Sequence, residues 1–93
     1  MDHLSLYSPQ DVQLKLAKFV RARRKAQKWS RDALAERSTV PAPTIKRFEL
    51  TGEISLRQLL LLWQCVDDVE RLVALCKPAT TKKPTSIEEV LNS

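Results

Sequence analysis

Two closely spaced prolines and the chain's single glycine sit within the stretch that most constrains the fold, residues 29–52, WSRDALAERSTVPAPTIKRFELTG. SRDALAER opens with a serine suited to cap a helix, and APTIKRFE resumes a helical pattern after the turn TVP. Two short helices joined at a steep angle by a three- or four-residue turn make a helix-turn-helix. The second helix of such a pair can enter a DNA major groove.

The rest of the chain is compatible with that use. Its 93 residues make one small domain with a tail. A single glycine and long runs rich in Leu, Ala, Arg, Lys and Gln point to an all-α chain. The formal charge is +5, and it is unevenly spread. Residues 15–47 carry 11 Lys and Arg against 2 Asp and Glu, whereas residues 48–76 carry 2 against 5. Positive charge is thus concentrated around the candidate reading motif, as a phosphate-binding surface requires.

Residues 1–14 lack the basic start and apolar core of a signal peptide. The longest apolar run, residues 59–63, falls far short of the roughly 20 residues that span a bilayer. Cys65 and Cys76 stand apart, with no CxxC and no neighbouring His, and are expected as buried free thiols. These features lead to the expectation of a cytoplasmic protein that does not enter membranes.

Five helices follow from the periodicity. Residues 1–8 are expected as a flexible arm, and Ser8-Pro9 starts a first helix that should reach about Gln27. Val12, Leu16, Phe19, Val20 and Arg23 recur on one of its faces. Ser30 caps a second helix ending near Ser38. Val40 and Ala42 each precede a proline and should lie outside the next helix or at its cap, so the third begins near Pro43 and ends near Leu50. Ile45 and Phe48 point to the core and Thr44, Lys46 and Arg47 outward, with Trp29 also expected in the core.

Gly52 is placed as a left-handed cap, and Ser55 caps a fourth helix, LRQLLLLWQCV, apolar nearly all round. Its Trp63 could complete the core or join a dimer face. A fifth helix, DVERLVALC, stops at Pro78 and completes a domain over residues 9–77. Residues 78–93 are expected as a polar linker and a short tail helix, SIEEVLN, with an apolar stripe of Ile87, Val90 and Leu91.

In order and spacing, LAKFVRARRKAQ, WSRDALAE, VPAPTIKRFE and GEISLRQLLLL resemble the Cro/repressor-type (XRE) helix-turn-helix domain, a five-helix fold. The likeness covers residues 16–62, about half the chain. RFELTGEISLRQLL followed by a short helix and a proline-containing tail looks like the HipB-type antitoxins encoded beside HipA-type kinases. That resemblance implies a homodimer that represses its own operon and holds a kinase toxin. Autonomous phage-type repressors share the first four helices.

Two departures bear on the site. The family usually has glycine in the turn between helices two and three, and Thr39 stands there. A β-branched residue tolerates positive φ poorly, so this turn is expected to close with other dihedrals. The start of the reading helix is usually polar, and here it is Pro41, Ala42 and Pro43. Without amide side chains, base reading falls to apolar contact with thymine methyl groups and to Arg47.

The expected DNA-binding residues are therefore Ser30, Arg31, Ala42, Pro43, Thr44, Lys46 and Arg47. Arg47 can donate a bidentate pair to guanine, Lys46 suits a phosphate, and Ser30 and Arg31 lie where a helix N-terminus attracts one. The family resemblance further implies a structural salt bridge between Arg24 and Glu49. Removing one partner of a well-buried pair costs roughly 3–5 kcal/mol.

His3 is the only histidine, and the chain has no GxGxxG, no Walker loop and no metal-ligand cluster. No enzyme activity, cofactor or metal is expected. The function expected is a dimeric repressor on a double-stranded operator palindrome, with a HipA-like kinase toxin as protein partner. The rivals are a stand-alone phage-type repressor and a protein-interaction module that binds no DNA.

Overall fold

In a computed structural model, which describes residues 6–79, the chain forms five α-helices. They are α1 (Pro9–Ala26), α2 (Arg31–Ser38), α3 (Ala42–Thr51), α4 (Leu56–Val66) and α5 (Val69–Ala74). No strand occurs among the described residues, so the all-α expectation holds. The tail helix, the 80–93 part of the linker and tail, and the 1–5 part of the arm lie outside them.

Local chemistry sets most helix starts. Ser8 and Asp11 form a reciprocal capping box, with Asp11 N donating to Ser8 Oγ (3.1 Å) and Ser8 N to Asp11 Oδ2 (3.0 Å). Ser30 Oγ accepts from Ala33 N, Ser55 Oγ from Gln58 N and Asp68 Oδ1 from Glu70 N. Each satisfies an amide that the first helical turn leaves without a partner. Pro41 caps α3 with no side-chain bond, and the helix begins at Ala42, one residue before the expected start. At that position no intrahelical N–H bond is needed, so the conformational bias before Pro43 is tolerated.

The first two helices end where expected, each closing through a left-handed residue that is not glycine. At the end of α1, Lys28 takes a left-handed conformation (φ 63°). Trp29 N donates to Arg24 O and Lys28 N to Lys25 O, which is a Schellman closure built without glycine. At the end of α2, Thr39 is also left-handed (φ 65°, ψ 9°). The expectation of other dihedrals is therefore corrected: the turn keeps the geometry that glycine would serve, with threonine in it. Several bonds hold it there. Thr39 N donates to Ala35 O (2.8 Å), Thr39 Oγ1 donates to Ser38 O, and the buried Ser38 Oγ accepts from Val40 N (3.1 Å).

The core sits where α1, α2, α3 and α4 meet. Ala17 and Val20 come from α1, Leu34 from α2, Ile45 and Phe48 from α3, and Leu62, Trp63 and Val66 from α4. Val40, in the turn, joins them. Trp63 is a core residue: its ring stacks on Phe19 (5.1 Å between centroids), and its Nε1 donates to Asp68 O (3.0 Å). Three expectations are corrected. Val12 is 46 % exposed, because the core begins further along α1. Trp29 is half-buried, packed against the core with the Arg37 guanidinium 4.4 Å over its ring. Cys76 is exposed beyond the end of α5, whereas Cys65 is half-buried and its thiol is pushed up by burial; both are free.

Gly52, left-handed at φ 82°, ends α3 and seats it on α1. A Cβ there would lie 3.0 Å from Gln13 Cβ and 3.1 Å from the Gln13 carbonyl carbon, so glycine is required on two counts. Gln13 Nε2 donates back to Gly52 O (3.3 Å). No helix among the described residues is long and apolar enough to cross a membrane.

Candidate nucleic-acid interface

Helices α2 and α3 pack on one another and expose neighbouring residues on one surface. Ile45 and Phe48 anchor α3 in the core, which turns Lys46 and Arg47 to solvent. Pro43 is exposed, and Ala42 and Thr44 are half-buried beside it. Ser30 and Arg31 begin α2. The first turns of the two helices open on one concavity, lined by Ser30, Arg31, Asp32, Ala42, Pro43 and Lys46 together with Arg24. The seven expected DNA-binding residues thus lie along neighbouring parts of one surface.

Beneath this surface, Arg24 and Glu49 meet as a bidentate pair. Arg24 Nε donates to Glu49 Oε2 (2.8 Å) and Nη2 to Glu49 Oε1 (3.1 Å), while Nη1 donates to Trp29 O (2.8 Å). Arg24 is buried, and the Glu49 side chain is only 1 % exposed. Burying one of these charges alone would be costly; paired and hydrogen-bonded, they fix the last turn of α3 against the end of α1.

Two further arginines converge on the same carboxylate. Arg31 Nε donates to Glu49 Oε1 (2.9 Å), and Arg21 Nε stands 3.8 Å from that oxygen. The family resemblance implies the Arg24 partner but not Arg31, which arrives from α2 and depends on how that helix packs on α3. Sequence reasoning also missed Glu53. Directly after Gly52 reverses the chain, its carboxylate accepts from Arg47 Nη2, and both side chains are exposed. The expected base-reading arginine therefore has an acidic neighbour on the same surface. An acidic residue just past a glycine cap, near the last basic residue of a helix, is a signal that could have raised it.

Helices α4 and α5 expose an apolar face. Leu56, Leu60, Val69, Val73 and Leu75 stand in solvent along a groove between the two helices, with Leu59 and Leu72 half-buried at its base. Asp67, at the α4–α5 junction, ties this hairpin to α1. It accepts from Arg71 Nη1 (2.6 Å) and lies 3.9 Å from Arg23 Nε, while Arg23 Nε donates to Val66 O (3.0 Å). The backbone N–H of Asp68 and these arginines hold its carboxyl below the usual carboxylate value, against a smaller opposing effect of burial.

No group of three or more His, Cys, Asp or Glu residues suited to a metal ion occurs among the described residues. No family model, curated protein or solved structure matches the chain.

Proposed function

We propose that this chain is a sequence-specific DNA-binding repressor whose α2–α3 pair acts as a helix-turn-helix, with α3 as the reading helix. The observation that carries the reading is the outward row of α3. Lys46 and Arg47 are exposed there, beside Arg31 at the start of α2, while the opposite face of α3 is locked in the core. Arg47 supplies base contact in the major groove, and Pro43 and Ala42 apolar contact with thymine methyl groups. Lys46, Arg31 and the capped first turn at Ser30 hold phosphates.

The repressor acts as a homodimer. The exposed apolar face of α4 and α5 is the surface a second copy would cover, and it belongs to the acidic half of the chain. Two reading helices would then meet successive major grooves of a palindrome, about 34–36 Å apart.

The finer reading is a cytoplasmic antitoxin that represses the operon of a HipA-like kinase and holds that kinase. It rests on the resemblance of RFELTGEISLRQLL and the following helix and tail to HipB-type antitoxins. Co-purification with a kinase-like partner supports it, and a dimer recovered without one points to a stand-alone repressor. Titration of a mixed-sequence duplex at two salt concentrations tests the DNA reading itself. Binding should weaken steeply as salt rises, and its absence at low salt overturns the proposal in favour of a protein-interaction module.

A further inference from the structure

Glu49 does more than brace α3. We infer that it is the positioning residue of a phosphodiester clamp whose contacting group is Arg31, an assignment that rests on the DNA-binding reading above. The geometry divides labour among the arginines. Arg24 spends its guanidinium inward, on both oxygens of Glu49 and on Trp29 O. Arg31 uses Nε alone toward Glu49 Oε1 and is 33 % exposed at the side chain. Its two terminal amino groups make no hydrogen bond among the described residues, and Arg31 borders the concavity between the first turns of α2 and α3.

An arginine on a helix surface ordinarily loses much side-chain entropy when it contacts an anion. Here that ordering is already present, because the carboxylate holding Nε is itself fixed from the core by Arg24. The charge arrangement favours an anion as well. One carboxylate faces the guanidiniums of Arg21, Arg24 and Arg31, leaving two formal positive charges unbalanced around it. Lys46 adds a further cation at the concavity, against the Asp32 carboxylate that also lines it. The ligand that fits is a backbone phosphodiester oxygen of duplex DNA, taken without regard to base identity.

The decisive experiment measures the salt dependence of binding to a mixed-sequence duplex for the wild type, R31A, E49Q and the double variant. R31A should lower the slope of log K against log salt by about one, the loss of one phosphate contact. E49Q should lower it similarly, and the double variant no further, because both changes disable the same contact. A purely structural Glu49 would lower the melting temperature of E49Q and leave the slope of its folded fraction at the wild-type value, which overturns the clamp. E49Q strands Arg24 in the core and could unfold, so a second reading uses the wild type alone. The Arg31 Nε–Hε group should give a rigid, slowly exchanging NMR signal in the free protein, unlike the exposed Arg57; a mobile signal overturns the clamp. A wild type that binds no duplex at low salt overturns the DNA reading and the clamp together, whereas retained binding with an unchanged E49Q slope removes only the clamp.

Discussion

Arg47, on the outer face of α3, is ion-paired with Glu53, the residue that follows the glycine cap of the same helix. Both side chains are more than half exposed, so the pair contributes little to folding, within about 1 kcal/mol. Under the proposed DNA reading, its consequence lies in binding. A DNA phosphate or guanine must compete with Glu53 for the Arg47 guanidinium, and the carboxylate repels the backbone at close range.

Replacing Glu53 with glutamine should therefore strengthen binding to a mixed-sequence duplex while the thermal midpoint hardly moves. Fluorescence anisotropy at low salt, beside a melting curve, reads both. Weaker binding by E53Q would mean that Glu53 orients Arg47 productively rather than competing for it.

Thr39 and Gly52 hold the same left-handed backbone with opposite consequences. For threonine that conformation costs roughly 1–2 kcal/mol, part of which Thr39→Gly returns as added unfolded-state entropy. A net stabilisation of about 0.5–1 kcal/mol is expected from chemical denaturation. Gly52→Ala meets the reverse: a strained φ and a Cβ 3.0 Å from Gln13 Cβ. It should destabilise by more than about 1–2 kcal/mol, since crowding adds to the backbone cost. If Thr39→Gly destabilises, the Oγ1 bond to Ser38 O outweighs the strain.

These two positions also show what the sequence could and could not disclose. Capping serines at 8, 30 and 55 were legible because an N-cap is a local contract between a side chain and amides two or three residues on. Gly52 was legible for the same reason. Thr39 was not, because its intrinsic preference is overridden by neighbours that depend on the fold, among them the buried Ser38 hydroxyl bound to Val40 N. The site divides in the same way. The family resemblance implied the pairing of Arg24 with Glu49, and register faced Lys46 and Arg47 outward. The third partner of Glu49 and the pairing of Arg47 with Glu53 needed the angle between α2 and α3 and the reversal at Gly52. Helix α5 lay between these cases: its presence was readable, but none of its residues is buried, so the periodic stripe of Val69 and Val73 marks an open face rather than a core.

Asp67 should make the α4–α5 junction sensitive to acid. Its carboxyl is held below the ordinary value by the Asp68 N–H and by Arg71 and Arg23. A depressed folded value means that the anion stabilises the native state. That contribution is complete above the unfolded value near 3.8 and is lost as pH falls through the lower folded value. Protection factors of the α5 amides, taken relative to the intrinsic exchange rate at each pH, should therefore fall on acidification in the wild type. D67N should show faster α5 exchange already at neutral pH and a weaker dependence on acid. An unchanged α5 in D67N would mean that the Trp63 Nε1 bond to Asp68 O and the Leu72 contact hold the helix without the carboxylate.

The open face of α4 and α5 makes the proposed dimer separable from the domain. Val73 and Leu75 are 54 % and 76 % exposed, so a charge at either position disturbs no core packing. In a dimer sealed through this face the same charge would be buried without a partner, at a cost well above that of a surface change. V73E and L75E should melt near the wild-type temperature when dilute, yet sediment as monomers at concentrations where the wild type is dimeric. Since each half-site then binds alone, affinity for a palindromic operator should fall far more than affinity for a single half-site. A wild type that is monomeric throughout would place the apolar face against a different protein. A V73E dimer would move the homodimer contact elsewhere on the chain.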